Sequence, residues 1–224
     1  MKPNWSQLIK DLRSDNVDRF NDAWKKLSEL ADETTVPVLY LLLNDESISV
    51  RETAANMLSR LDGAKALPLI FQAYTRGFRE GYENEGMTKI IVDLLEENQE
   101  DVTPLLLDML NSKDSDTLQN AAWALGFVSS QISPTPLIEL INNNTNFKVR
   151  ATATASLGSF KGYPEVFDQL VLLLKDSDFY VKDSAVIALG NLGEKRAVGL
   201  LQEMKKEASE TEQMSIHFAL EKLM

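Results

Sequence analysis

Residues 149–157 read VRATATASL, and the same pattern recurs without gaps as VRETAANML at 50–58 and VKDSAVIAL at 181–189. A fourth segment, residues 117–125, keeps the pattern with Ala121 and Leu125 in register. An alanine or isoleucine lies four residues before each leucine of this column, one helical turn away on the same face. The leucine position recurs along the whole chain at Leu27, Leu58, Leu95, Leu125, Leu157, Leu189 and Leu220. A period of this length predicts a helical repeat protein with seven repeats.

A second set of apolar segments lies between these helices, and four of them open with Pro37, Pro68, Pro104 and Pro136. Proline is tolerated in the first turn of a helix, so each one predicts a helix start. Polar turns at 44–47, 142–145 and 175–178 would supply the N-caps of the second helices. The predicted fold is all-α: a right-handed α-α superhelix of about seven helical hairpins, forming a single domain over residues 1–224. The approximate repeats are 1–32, 33–62, 63–98, 99–130, 131–161, 162–193 and 194–224.

An acid or amide precedes the basic residue of the repeated segment by six positions. The pairs are Asp45 with Arg51, Asn144 with Arg150, and Asp176 with Lys182. Together with the Ala and Leu-Gly positions, this spacing resembles the HEAT-like repeats named after phycobilisome lyases, which are armadillo-like α solenoids. The resemblance covers nearly the whole chain and implies a structural ladder of acids and bases between adjacent repeats. Repeats one, three, four and seven lack the pair, so the ladder is expected to be discontinuous.

Three glycines, Gly126, Gly158 and Gly190, follow the leucine column directly. They are separated by whole repeats and therefore form no phosphate-binding loop. We expect them to permit close helix packing or to loosen a helix end.

The composition limits the classes of partner. The chain has 34 acidic and 23 basic residues, a formal charge of −11, and no cysteine. Nucleic acid is disfavoured as a partner, because phosphate binding needs clustered Lys and Arg and the basic residues here are scattered. The apolar stretches are shorter than a membrane span, and the N-terminus lacks the apolar centre of a secretory signal, so no membrane contact and a cytoplasmic location are expected.

No arrangement of residues indicates catalysis, a metal or a cofactor. The related di-iron hydroxylases carry several His-Glu pairs, whereas this chain has one histidine, His217. Some DNA glycosylases are also helical-repeat proteins, but the net negative charge argues against DNA binding. Paired carboxylates such as Glu96 and Glu97 are typical of solvated helix ends.

Repeat three contains about six surplus residues, within 75–86. Three glycines in this segment predict a loop on one face of the solenoid, and such loops often bind partners. The candidate binding residues are Arg76, Phe78, Arg79 and Tyr82. The alternative is a longer turn with Phe78 and Tyr82 folded back onto the protein.

The second candidate site is a stripe on the second helices, two residues before each leucine of the column. This position lies about 160° from the leucine and should face solvent or a partner. The stripe is polar at Lys25, Asn56 and Asp93, then becomes apolar or small at Trp123, Ala155, Ile187 and Phe218. Trp123, Ile187 and Phe218, with nearby Phe127, are the predicted binding residues. The alternative is partial burial against the adjacent first helices.

These observations favour a non-catalytic protein-binding scaffold, an adaptor or chaperone-like module that holds a partner in the concave face of repeats four to seven. Two alternatives remain open. One is a bilin lyase subunit or phycobilisome-associated chaperone, as the resemblance implies. The other is an acidic immunity or regulatory protein that covers a basic partner.

Overall fold

The computed structural model describes residues 4–224, which form fourteen α-helices and no strand. Each predicted repeat contains two of these helices, which confirms the all-α hairpin pattern. The helices are α1 (Trp5–Leu12), α2 (Val17–Leu30), α3 (Val36–Leu42), α4 (Ile48–Leu61), α5 (Leu67–Arg79), α6 (Glu85–Glu97), α7 (Gln99–Met109), α8 (Ser115–Leu125), α9 (Thr135–Asn143), α10 (Phe147–Leu157), α11 (Pro164–Leu173), α12 (Phe179–Leu192), α13 (Ala197–Lys205) and α14 (Glu210–Leu223).

The chain divides into two compact units, with the boundary between Asn98 and Gln99. The N-terminal unit holds repeats one to three and the C-terminal unit holds repeats four to seven. None of the helices formed by residues 4–224 has the length and apolar character needed to cross a bilayer.

The leucine column forms the core of both units. Six of its seven leucines are fully buried, and the last, Leu220, is 7% exposed. The residues one turn earlier, from Ala23 to Ile216, are buried as well. The face assigned to the core from periodicity is therefore confirmed.

Most helix starts follow the sequence prediction. Pro37, Pro68 and Pro136 lie in the first turns of α3, α5 and α9. The start predicted at Pro104 is wrong, because α7 begins at Gln99 and Pro104 lies inside the helix. The N-cap of α10 is Asn146, one residue after the predicted turn, and its side chain accepts a hydrogen bond from the Lys148 backbone N–H.

In the C-terminal unit the second helices α8, α10, α12 and α14 pack on one another in order. A Cβ atom at Gly158 would lie 2.9 Å from the Ala188 carbonyl oxygen of α12. A Cβ atom at Gly190 would lie 2.7 Å from Ala219 Cα of α14. Close helix packing at these two predicted glycines is confirmed, and each contact reaches the backbone of the next repeat.

Ion pairs link neighbouring repeats, as the resemblance implied. In the N-terminal unit Arg13 pairs with Asp45 at 2.6 Å, and Arg51 pairs with Glu80 at 2.5 Å. In the C-terminal unit Arg150 pairs with Asp176, and Lys182 pairs with Glu212 at 3.1 Å. Each base reaches an acid of the following repeat. Repeats one, three and seven lack the motif pair but still contribute partners, because Arg13, Glu80 and Glu212 lie outside the motif positions.

We predict that Gly190→Ala destabilises the protein although alanine favours helices. Gly190 lies within α12, where alanine would normally gain about 1 kcal/mol. The added methyl must displace the α14 backbone, and such overpacking costs about 1–3 kcal/mol. Gly199→Ala is the matched control, since nothing lies within 4 Å of its Cβ position in α13. Urea unfolding should show a lower free energy of unfolding for Gly190→Ala and no decrease for Gly199→Ala. Equal stabilisation by both variants would contradict the close packing at Gly190.

A second prediction concerns acid stability at the last ion pair. Hydrogen bonds from the Ser209 side chain and backbone, then from Lys182, lower the pKa of Glu212 from 4.5 to about 2. Because the folded-state pKa lies below the unfolded one, this stabilisation is present above pH 4.5 and is lost as the pH falls towards 2. The melting temperature of wild type should therefore be higher than that of Glu212→Gln at neutral pH. The difference between the two melting temperatures should become smaller as the pH falls.

The control for this experiment is Glu210→Gln, an exposed carboxylate in the same first turn of α14. The difference in melting temperature between Glu210→Gln and wild type should depend less on pH. If the difference in melting temperature between wild type and Glu212→Gln stays constant from neutral to acidic pH, the ion pair and the cap do not stabilise the fold as described.

Candidate functional site

A groove crosses three successive second helices of the C-terminal unit, α8, α10 and α12. Its volume is about 460 Å³, within the range of ligand-binding clefts. The lining residues are Trp123, Gly126, Phe127, Ala151, Thr152, Ala155, Ser156, Ser159, Tyr180, Asp183 and Ser184. The groove therefore coincides with part of the predicted stripe, at Trp123, Ala155 and the adjacent Phe127.

The floor of the groove is α10, and the residues that α10 contributes to the lining all have small side chains. Ala151, Thr152 and Ala155 face the groove, and Ala155 is exposed to solvent. Small residues also lie on the buried side of α10, where Ala153 and Thr154 are fully buried between Val149 and Leu157. Small residues on the floor leave room above α10 between the larger side chains of the neighbouring helices.

Aromatic side chains form the two walls. The ring of Trp123 on α8 meets the ring of Phe127, in the turn directly after α8, edge to face, with centroids 5.2 Å apart. On α12 the ring of Tyr180 stacks against Phe147 at 5.5 Å and meets Phe179 edge to face at 5.5 Å. Tyr180 is nevertheless 59% exposed. These ring contacts hold the walls in place, and the exposed ring of Tyr180 offers aromatic surface to a ligand.

The remaining stripe residues lie outside this groove. Ile187 is half-buried on α12, one turn after Asp183. Phe218 on α14 is 43% exposed, and Lys222 Nζ lies 4.6 Å from its ring centroid. Exposure of the whole stripe is thus only partly observed, since Trp123 and Ile187 are half-buried. The role of Trp123, Phe127, Ile187 and Phe218 in binding stays a prediction.

Sequence reasoning missed Tyr180, Asp183 and Ser184. These residues lie on α12 three to seven positions before Ile187, so helical periodicity places them on neighbouring parts of the same surface. Their position opposite Trp123 was not visible, because it depends on how α12 is aligned with α10 and α8. The aromatic residues at 179 and 180 were the available signal.

The surplus segment of repeat three has a different structure from the predicted loop. Helix α5 continues to Arg79, and only residues 80–84 form the turn before α6. Gly77 is buried because the Asn84 side chain packs against it, and Asn84 Nδ2 donates to the Tyr74 carbonyl oxygen at 2.8 Å. The glycine serves packing here and does not break the helix.

This segment covers a buried cation. Arg51 is fully buried, donates to the carbonyl oxygens of Asp45 and Glu46, and pairs with the Glu80 carboxylate. Arg76 donates to the same carboxylate at 2.6 Å. Burial raises the pKa of Glu80, but the hydrogen bonds from Arg76 and Arg51 outweigh it and hold that pKa below its ordinary value.

Of the four binding residues predicted here, Arg76 is bound internally, while Phe78 and Tyr82 are 52% and 43% exposed. Phe78 packs its ring against Tyr74 with centroids 4.8 Å apart, and the Arg51 guanidinium lies 5.9 Å from the Tyr82 ring. Arg79 is exposed at the end of α5. Both rings contact the protein while keeping solvent access, and a binding role for the four residues stays a prediction.

A family model describing HEAT repeats matches residues 88–158 and 134–221, together more than half of the chain. The chain belongs to the HEAT-repeat family. The groove is therefore a feature of stacked HEAT hairpins, and it lies within the matched region.

The chain is similar to two solved structures of helical-repeat proteins. A designed armadillo repeat protein in complex with the peptide (KR)4 is 20% identical over 99% of this chain and 100% of that chain, with a TM-score of 0.47. The complex of CpcE and CpcF of phycocyanin lyase from Nostoc sp. is 16% identical over 100% of this chain and 96% of that chain, with a TM-score of 0.42. No curated protein matches the chain significantly.

We predict that Glu80→Gln lowers the melting temperature of this HEAT-repeat protein. The variant removes the carboxylate that balances Arg51, and a buried cation without a counter-charge is strongly unfavourable. Glu83→Gln is the matched control, since Glu83 is exposed in the same segment and forms no ion pair within residues 4–224. Differential scanning calorimetry should show the larger loss for Glu80→Gln; identical melting of both variants would mean that Arg51 needs no partner from this segment.

Proposed function

We propose that this protein is a non-catalytic adaptor that binds an extended segment of a partner protein in the groove across α8, α10 and α12. The observation that carries the proposal is the combination of a small-residue floor with aromatic walls on both sides. Tyr and Trp surfaces around a cleft are the usual anchors of protein binding energy. In this proposal the protein works in the cytoplasm and performs no chemistry itself.

The groove fits a peptide better than a second folded domain. Its floor is narrow because it is one helix wide, and its walls are side chains of α8 and α12. A flexible strand of polypeptide can place alternate side chains into such a cleft, whereas a flat protein surface would leave the floor at Ala155 empty. Contacts to the floor are therefore expected to decide affinity.

Nucleic acid is a poorer fit for the same groove. The one charged lining residue is the acid Asp183, and no Lys or Arg is among the lining residues. Phosphate groups would be repelled by this carboxylate and by the net charge of −11.

Filling the groove tests the proposal. Ala155→Trp places a large side chain over the exposed floor without entering the core, so the fold should be retained. Peptides selected from a displayed random library on the wild-type protein should bind this variant about tenfold or more weakly, because a blocked central contact removes a main anchor. Leu172→Trp is the control, since Leu172 is 68% exposed on the first helix α11, outside the groove lining.

Fluorescence anisotropy of the selected peptides would measure the affinities, with melting recorded for both variants. Binding that survives Ala155→Trp would place the binding site elsewhere on the protein. A selection that enriches no peptide would count against peptide binding altogether.

A further inference from the structure

A half-buried carboxylate without a counter-charge lines the aromatic groove. Asp183 lies on α12 beside Tyr180 and Ser184 in the lining. Among residues 4–224 it has no ion-pair partner and accepts no side-chain hydrogen bond. A carboxylate in such a position attracts a cation from outside the chain, because opposite charges interact more strongly where solvent is partly excluded.

Among residues 4–224, the basic residues of α10 and α12 form no ion pair with Asp183. Lys182, the preceding residue, pairs with Glu212 at 3.1 Å. Arg150, at the start of α10, pairs with Asp176. Lys148 is exposed in the first turn of α10 and forms no ion pair with Asp183. The ladder between repeats therefore uses Arg150 and Lys182, two basic residues that could otherwise neutralise the groove.

The walls of the groove suit the same kind of ligand. The faces of Trp and Tyr rings attract Lys and especially Arg side chains, because the ring quadrupole is negative above its plane. Tyr180 is 59% exposed, and Trp123 lies in the opposite wall. A planar guanidinium can stack on an aromatic ring while it donates hydrogen bonds to a carboxylate. The lining thus combines both contacts that an arginine makes.

We infer that the groove selects a basic side chain, arginine in first place, from the bound partner segment. Asp183 is the charge partner, and Trp123 and Tyr180 are the aromatic contacts. The small residues Ala151 and Ala155 provide the space above α10 through which the side chain enters. The inference rests on the proposed function, since it names the segment that the groove would accept: a flexible stretch of protein rich in arginine. The net charge of −11 would also steer such a segment to the protein at low salt.

Three fluorescein-labelled peptides test this with the full chain. Each repeats the tripeptide Gly-Ser-X four times, where X is arginine, glutamine or leucine. The arginine peptide should bind most tightly, and its affinity should fall with added salt. Asp183→Asn should weaken its binding about tenfold, since a charged hydrogen bond is replaced by a neutral one.

Asp168→Asn is the matched control for this charge change. Asp168 is exposed on the first helix α11, outside the lining, and its replacement alters the net charge equally. It should leave the affinity within about twofold, because exposed charges at a distance contribute little. Melting of both variants should match wild type, as neither aspartate pairs with another side chain in the described chain.

Each remaining outcome is informative. Equal binding of the arginine peptide by Asp183→Asn and Asp168→Asn would overturn the inference. A leucine peptide that binds as tightly as the arginine peptide, and is lost on Ala155→Trp, would also overturn it while leaving the proposed function intact. Failure of the arginine peptide to bind would overturn the inference, whereas the proposed function fails only if the peptides selected from the library bind Ala155→Trp as tightly as wild type or if none is enriched.

Discussion

The close contact between successive second helices determines the surface of the C-terminal unit. At Gly158 and Gly190 the neighbouring backbone comes so near that a methyl group would overlap it. Helices this close need small residues where they meet, while the leucine column fills the core on the inner side. The outer side of each helix can then carry residues that this contact does not require, and the part of α10 that lines the groove includes Ala151, Thr152 and Ala155.

Periodicity could predict the core but not the groove. Leu125, Leu157 and Leu189 recur at a constant position, and a constant environment gives a recognisable sequence pattern. The groove is built from different residues on each helix: an aromatic wall on α8, a small floor on α10, and an aromatic and acidic wall on α12. Ala155 shows why the groove could not be predicted, because alanine is common both where two helices pack together and on an exposed helix surface.

Two local features were not predicted from the sequence, because the same type of residue can have either of two structural roles. Gly77 was interpreted as a helix breaker, yet it is buried in α5 where the Asn84 side chain leaves no space for a Cβ atom. Arg51 was recognised as part of the ladder, but its acidic partner Glu80 comes from the surplus segment of the next repeat and not from a motif position. Spacing within one repeat cannot identify a partner that the following repeat provides.

The ladder and the groove are electrostatically related through the same helices. In the C-terminal unit each ladder pair places a base near the start of a second helix against an acid of the next repeat, so these charges cancel locally. Asp183 follows Lys182 directly but points into the groove lining, while Lys182 is held by Glu212. Neighbouring residues on α12 thus have opposite environments: one charge is paired and structural, and the other is left unbalanced beside aromatic rings. The excess of acidic over basic residues makes the long-range electrostatic potential of the chain negative. The unpaired carboxylate of Asp183 adds a local preference for a cation inside the groove.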